Sequence, residues 1–235
     1  MKAIFFDVDD TLYDQVDTFR RAYEEVFGDR FELDIKELFK ARSRRSDEVF
    51  EDSQTGKITM EAMYIYRGQK AFEDLGFVIT EEEALEFQAA YARNQANLTV
   101  PELTAQLLDE LKAKGIQLGV ITNGPSAHQW KKVTALNVIR WMPQKNLIVS
   151  GDIGIIKPNR GIFDIAKERA GVAEDEIWFV GDSYLNDIVG AKGAGWNALW
   201  INRWKKELAA GDVQPDVMVY DEAGMCERIR EIVEA

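Results

Sequence analysis

Three carboxylates lie within four residues near the start of the chain. Asp7, Asp9 and Asp10 follow a short apolar run, residues 3–6, which is typical of a strand buried on both faces. Like charges this close repel one another, so a fold tolerates them only with a bound cation or a raised pKa. In an open parallel sheet, ligands bind at the carboxyl ends of the strands. The segment is therefore a candidate active site, although a solvated turn after an edge strand would fit the same residues.

Hydrogen-bond donors follow two later candidate strands. Thr122, Asn123 and Gly124 come after the second strand and combine a hydroxyl, an amide and a flexible backbone, which suits an oxyanion. Beyond the third strand lies Lys157, and Pro158 next to it is expected at the start of a helix. Taken singly, the first segment could be an ordinary turn and Lys157 a surface lysine.

Two further carboxylates, Asp182 and Asp187, follow the fourth candidate strand beside a glycine, and oxygen-rich sites of this kind suit Mg²⁺. At one edge of a parallel sheet the predicted set would comprise Asp7, Asp9, Thr122, Lys157, Asp182 and Asp187. Four acids need a divalent cation as well as the lysine, and together they form a site for a phosphate dianion.

The elements that must position these side chains alternate along most of the chain. Candidate strands occupy residues 3–6, 117–121, 147–150, 177–180, 198–201 and 217–220. Helical patterns separate them from the second strand onward; one of these, residues 101–114, begins with a proline and has leucines on one face. This alternation predicts an α/β fold with a doubly wound, mostly parallel, Rossmann-like sheet.

One stretch, residues 14–98, is helical throughout, with turn signals near residues 28, 53–56 and 75–76 and a capping box formed by Thr80 and Glu83. It predicts an all-helical cap subdomain inserted into a core of residues 1–13 and 99–235, placed as a lid over the acidic turn. Its basic run, residues 40–45, is expected to be a solvated helix face, with an anion contact as the alternative. Several residues are candidates to contact a leaving group, and for each of them a structural or solvated role is the alternative. These residues are Tyr13, Arg20, Arg42, Arg44, Arg45, Tyr64 and Arg67.

The composition of the chain disfavours some classes of partner and excludes some kinds of site. The chain has 235 residues, of which 46% are hydrophobic and 30% charged, and its net charge of −12 disfavours a nucleic-acid polymer as partner. No apolar run approaches the ~20 residues of a membrane span, and the start lacks a signal-peptide pattern, so a cytoplasmic location is expected. The single cysteine, Cys226, excludes internal disulfides, and the single histidine, His128, excludes multi-histidine zinc sites.

The ordered set of motifs resembles the haloacid dehalogenase-like (HAD) superfamily over essentially the whole chain. The segments similar to its four motifs are Asp7-Val8-Asp9-Asp10-Thr11, Thr122-Asn123-Gly124, Lys157-Pro158, and Gly181-Asp182 with Asp187. The helical insert between the first two motifs resembles the early helical (C1-type) cap of one subclass.

The resemblance implies a division of roles. Asp7 would be the nucleophile that forms an aspartyl-phosphate, and Asp9 would be the general acid and base, with a pKa raised by a neighbouring carboxylate. Mg²⁺ would be held by Asp7, the backbone carbonyl of Asp9 and Asp182, with Asp187 supporting these ligands from behind.

Phosphoryl oxygens would be bound by Thr122, Asn123 and Lys157. Asp9 favours phosphate chemistry, because the dehalogenases of the family lack this second aspartate. Asp10 is expected to cap the turn, although polar residues at this position also occur in nucleotidase-like relatives. The resemblance thus implies a Mg²⁺-dependent phosphatase acting on a small phosphorylated metabolite, either a nucleoside 5′-monophosphate or a sugar phosphate. A phosphomutase and a catalytically silent ligand-binding module are the alternatives.

Overall fold

The computed structural model describes residues 1–234, apart from the side chain of Gln54. It divides into two compact units. One unit combines Met1–Asp14 with the chain from Thr99 onward, and the other is Gln15–Leu98.

The first unit is built on a six-stranded sheet in which every neighbouring pair is parallel. Its strands are β1 (Ala3–Phe6), β2 (Gln117–Thr122), β3 (Leu147–Val149), β4 (Ile177–Gly181), β5 (Asn197–Ile201) and β6 (Val217–Val219). The order β3-β2-β1-β4-β5-β6 reverses at β1, which confirms the predicted doubly wound α/β fold. Each strand end lies within one residue of its predicted position.

The central strand β1 is buried on both faces, as its apolar run predicts. All four of its side chains are inaccessible to solvent. Phe6 pairs with Val120 of β2 on one side and with Val180 of β4 on the other. Asp7 therefore leaves the sheet between the ends of β2 and β4, and its backbone N–H donates to the Val180 carbonyl at 2.9 Å.

Helices connect most of the strands. In the core unit they are α5 (Glu102–Ala113), α6 (Ser126–Ala135), α7 (Ser150–Ile153), α8 (Arg160–Ala170), α9 (Gly190–Gly193) and α10 (Glu222–Glu234), and in the inserted unit α1 (Gln15–Phe27), α2 (Ile35–Gln54), α3 (Met60–Asp74) and α4 (Glu81–Ala96). No described helix has an apolar stretch long enough to cross a bilayer.

Two local predictions about the core helices were wrong. Residues 202–216, between β5 and β6, contain turns and no helix in the described chain. Pro158 does not start a helix: its peptide bond with Lys157 is cis, and α8 begins at Arg160. The α8 N-cap is Asn159, whose side chain accepts from the Gly161 N–H at 2.9 Å, so an Asx cap replaces the expected proline start.

The inserted unit is a bundle of four helices in which α1 packs on α4 and α2 on α3. Its core is aromatic: Phe27, Phe72 and Phe87 lie with ring centroids 5.0–6.2 Å apart in tilted and edge-to-face pairs. The predicted capping box starts α4, because the Thr80 hydroxyl accepts from the Glu83 N–H and the Glu83 carboxylate accepts from the Thr80 N–H.

Candidate active site

Three carboxylates converge at the carboxyl edge of the sheet. Oxygens of Asp7, Asp182 and Asp187 all lie within 4.8 Å of one another. Lys157 reaches into this group, and its Nζ is 2.7 Å from Asp7 Oδ1 and 2.7 Å from Asp187 Oδ1. Asp7, Lys157 and Asp187 are buried, with 8%, 2% and 0% of their surface exposed. Four of the predicted site residues thus lie in direct contact or close proximity.

The group carries more negative charge than its one lysine can balance. Burial raises the pKa of Asp7 to about 7, with Lys157 opposing the shift and Asp187 adding to it. Burial, then repulsion from Asp7, raises the pKa of Asp182 well above its ordinary value. Burial alone would lower the pKa of Lys157, but Asp187 and Asp7 outweigh it and raise the pKa. An additional cation bound to the three acids would offset this excess negative charge.

The donor set fits Mg²⁺, because every available ligand is an oxygen and the excess charge is negative. Asp7 and Asp182 are the side chains that could hold the ion. Asp187 is already committed: its Oδ2 accepts from the Ser183 N–H at 2.9 Å, and its Oδ1 pairs with Lys157. Asp187 therefore braces Lys157 and the loop after β4, in keeping with a supporting position.

The segment after β2 holds the lysine in place. Asn123 Oδ1 accepts from the Lys157 N–H at 2.8 Å, while its Nδ2 donates to the Lys157 carbonyl at 2.9 Å. Both ends of this amide are thus occupied, which favours a positioning role over the phosphate contact predicted for the Asn123 side chain. Thr122 is buried at the end of β2, and the Gly124 N–H donates to Ser150 Oγ at 2.9 Å.

Asp9 faces a second buried lysine that sequence reasoning missed. Lys132 Nζ lies 2.7 Å from both carboxylate oxygens of Asp9, Gln129 Nε2 donates to Oδ2 at 3.3 Å, and the Tyr13 hydroxyl donates to Oδ1. Burial would raise the pKa of Asp9, but Lys132 and the other donors outweigh it and lower the pKa. The expectation that a neighbouring carboxylate raises the pKa of Asp9 was wrong for this geometry. The available signal was the spacing of Gln129 and Lys132, which places both on one face of α6.

The turn between Asp9 and α1 is held by Arg203, which follows the carboxyl end of β5. Asp10 has a left-handed backbone (φ 55°), a conformation that aspartate tolerates better than most residues. Arg203 Nε donates to the Asp10 carbonyl at 2.9 Å, and its Nη1 donates to Asp14 Oδ2 at 3.2 Å. This fits the turn role expected of Asp10.

The predicted contact residues of the helical unit fall into two groups. Ion pairs with acids of the same unit occupy Arg20, Arg44 and Arg45. Arg42, by contrast, is buried, so the prediction that residues 40–45 form one solvated face was wrong. Arg67 packs over the ring of Tyr64, 4.9 Å from its centroid. Of the single cysteine and the single histidine, Cys226 is buried and His128 is exposed.

The chain is similar to known proteins over most of its length. The glyceraldehyde 3-phosphate phosphatase of Methanothermobacter thermautotrophicus is 28% identical over 245 residues, covering 97% of this chain and 99% of that protein. The pyrimidine 5′-nucleotidase YjjG of Escherichia coli is 29% identical and covers 88% of this chain and 89% of its own length. The crystal structure of the HAD-hydrolase YfnB from Bacillus subtilis bound to magnesium superposes with a TM-score of 0.68, 21% identity and coverage of 100% and 99%.

The sequence profile of the haloacid dehalogenase-like hydrolases matches residues 1–195, and this stretch contains all four predicted motifs and the inserted helices. The motif residues meet at the edge of the sheet where ligands bind in this fold class. The chain therefore belongs to the haloacid dehalogenase-like hydrolase family.

Proposed function

We propose that this protein is a Mg²⁺-dependent phosphatase that hydrolyses a phosphomonoester of a small cytoplasmic metabolite. The observation that carries the proposal is a buried nucleophile candidate, Asp7, in contact with Lys157 and next to the carboxylates of Asp182 and Asp187. The relatives named as phosphatase and nucleotidase support the same reaction class. A small phosphorylated metabolite, rather than a nucleic-acid polymer, is the proposed substrate.

In the proposed first step, Asp7 attacks phosphorus and forms an aspartyl-phosphate while the bond from phosphorus to the leaving oxygen breaks. Lys157 stays beside Asp7, where its charge offsets that of the carboxylate and of the incoming phosphoryl oxygens. The Thr122 hydroxyl is the proposed further donor to these oxygens. The Asn123 side chain keeps Lys157 in position through its two hydrogen bonds to the Lys157 backbone.

The metal would be held by Asp7, the backbone carbonyl of Asp9 and Asp182. When bound, it would neutralise charge on the transferring phosphoryl group. Asp187 would keep Lys157 and the loop after β4 in position for this arrangement.

Asp9 is the proposed proton carrier. It would donate a proton to the leaving alkoxide in the first step and accept one from water in the second, which hydrolyses the aspartyl-phosphate. In the structure its carboxylate is paired with Lys132, so this role requires a protonated Asp9 to turn from Lys132 toward the leaving oxygen. Cleavage of a carbon–halogen bond has no leaving alcohol to protonate, so Asp9 favours a phosphatase over a dehalogenase.

Phosphate release tests the proposal. Wild-type protein is incubated with nucleoside monophosphates, sugar phosphates and glyceraldehyde 3-phosphate, in Mg²⁺ and in excess chelator. We expect release that depends on Mg²⁺ and falls roughly 10³-fold or more in Asp7→Asn, because that amide cannot act as the nucleophile. Equal release by wild type and Asp7→Asn would exclude Asp7 as nucleophile. Interconversion of phosphate isomers without net release would instead identify a phosphomutase.

A further inference from the structure

Two arginines of the helical unit share one hydrogen-bond acceptor. Arg42 on α2 and Arg67 on α3 both donate to Oε1 of Gln88 on α4, at 2.7 Å and 2.6 Å. Arg67 also donates to Ser46 Oγ at 2.9 Å. One nitrogen of each guanidinium group bonds the same oxygen. These two nitrogens therefore cannot be farther apart than the sum of the two hydrogen-bond lengths.

Neither guanidinium has an acidic partner among the described residues, although the sequence from residue 15 to 98 holds 18 acidic and 12 basic side chains. Most other cations of the unit form ion pairs with its acids, namely Arg20, Arg30, Lys40, Arg44, Arg45, Lys57, Lys70 and Arg93. The contrast is sharp because Arg42 is only 8% exposed, and buried charge ordinarily requires a counter-charge.

The walls of the cluster are aromatic and cannot balance two charges. The Arg42 guanidinium lies 4.9 Å from the Tyr91 ring centroid and 5.6 Å from that of Phe19, and Arg67 lies 4.9 Å from the Tyr64 centroid. Cation–π contacts of this kind recover only part of the hydration that an arginine loses on burial. Burial, followed by repulsion from Arg42, lowers the pKa of Arg67 to about 9, which leaves Arg67 charged at neutral pH. A guanidinium stays protonated in proteins, so Arg42 is charged as well.

We propose that Arg42 and Arg67 form an oxyanion-binding site within the helical unit, where a carboxylate or phosphate group supplies the missing negative charge. A guanidinium presents its N–H donors in a planar fork that matches such groups. Gln88 and Ser46 occupy only three donor nitrogens of the pair, which leaves others for a ligand. This inference goes beyond the proposed reaction and does not depend on Asp7 or on a metal.

The substitution Gln88→Glu provides a direct test, because it places a carboxylate between the two guanidinium groups without changing the side-chain shape. Sulfate and malonate are the probes, titrated into the full-length protein in chelator at constant ionic strength while the melting temperature is recorded. In wild type we expect saturable stabilisation by at least one probe, and a stronger response to sulfate or to malonate separates a tetrahedral from a planar ligand. In Gln88→Glu we expect a higher melting temperature without anion and no further response.

Gln106→Glu, which makes the same charge change on an exposed position of α5, is the matched control and should respond to anions like wild type. Arg67→Met is the second variant: it retains an apolar stem and should weaken the apparent affinity at least about tenfold, because one charged fork is lost. The proposal is overturned if wild type shows no saturable response, or if the folded Gln88→Glu or Arg67→Met protein responds as wild type does.

Discussion

The two catalytic aspartates proposed for the first motif each contact a different buried lysine. Lys157 contacts Asp7, whereas Lys132 contacts Asp9, and both ammonium groups are almost inaccessible to solvent. The two carboxylates are only two residues apart in the chain but are held by different elements, the loop before α8 and the helix α6. Because each carboxylate has its own counter-charge, their mutual repulsion is reduced and their side chains are held in distinct positions.

Lys132 is therefore expected to hold Asp9 close to the leaving oxygen, so that the protonated side chain needs only a short turn away from Lys132 to transfer its proton. In Lys132→Met, we expect kcat for an alkyl phosphate to fall by about 10–100-fold with little change in KM, a fraction of the effect of a general acid. Hydrolysis of p-nitrophenyl phosphate should fall less, because its leaving group hardly needs a proton. Steady-state kinetics on both substrates measure the difference.

Two variants complete this test. Lys132→Arg retains the positive charge and should recover most of the activity, whereas Asp9→Asn should show the same dependence on leaving group as Lys132→Met. An equal loss on both substrates in Lys132→Met would assign the lysine to folding or phosphate binding instead.

At the scale of elements, the end of β4 and the π-helical turn after it (Tyr184–Val189) form one unit. Gly181 has no side chain at the point where the Asp187 carboxylate lies, so a Cβ there would overlap that carboxylate. Asp187 in turn pairs with Lys157 and accepts the Ser183 N–H. The glycine of the fourth motif is thus required by close packing against a buried acid, not by a positive φ.

We expect Gly181→Ala to displace Asp187 and, through it, Lys157. Phosphatase activity should fall by at least about 10-fold, because small misplacement of positioned groups is costly, while overpacking lowers stability by about 1–3 kcal/mol. Activity assays and urea unfolding measure the two effects. Gly193→Ala is the matched control, since a Cβ there meets nothing within 4 Å and should leave activity unchanged. Full activity in Gly181→Ala would contradict the packing argument.

A bidentate ion pair joins α2 to α3 in the helical unit. Arg45 Nη2 lies 2.5 Å from Asp74 Oδ1, and its Nε lies 3.0 Å from Oδ2. Hydrogen bonding to Arg45 lowers the pKa of Asp74 to about 2. A carboxylate with a lowered folded pKa stabilises the fold above its unfolded pKa, and this contribution disappears as the pH falls through the folded value.

Asp74→Asn should therefore lower the melting temperature by a few degrees at neutral pH and low salt. The difference from wild type should shrink as the pH falls from about 4 to 2, and also in about 1 M NaCl, where exposed pairs are screened. Circular dichroism across pH and salt measures both trends. A difference that is constant in pH and salt would point to packing rather than charge.

At the scale of the whole molecule, the net charge of −12 includes a concentrated acidic group at the sheet edge. A cation that binds this group stabilises the folded state by mass action, by about 2.7 kcal/mol at 100 times the dissociation constant. For a protein of this length that corresponds to a rise of about 5–10 °C in melting temperature. We expect Mg²⁺ to produce this rise and chelator to reverse it, as followed by thermal unfolding.

Asp182→Asn separates this effect from general salt stabilisation. Removing one of three mutually repelling carboxylates should raise the melting temperature in chelator, and the response to Mg²⁺ should largely disappear. A Mg²⁺ response in Asp182→Asn equal to that of wild type would place the bound ion elsewhere.

Local sequence determined most of the architecture. Strand positions follow from short apolar runs, and the helices of the inserted unit follow from caps such as Thr80 with Glu83. These signals depend on neighbouring residues alone, so they are legible without the fold. The meeting of Asp7, Lys157 and Asp182 also followed from sequence, because parallel strands bring their carboxyl ends to one edge.

Only the tertiary structure decided which groups each of these side chains contacts. Lys132 and Asp9 are 123 positions apart, and Arg42 and Gln88 are 46 apart on different helices, so no local pattern predicts either pair. Charge balance, burial and pKa depend on distances of a few ångströms between such remote residues. The sequence by itself thus determined the sheet and the chemical groups along its edge, whereas their partners, and hence their protonation, were decided by packing.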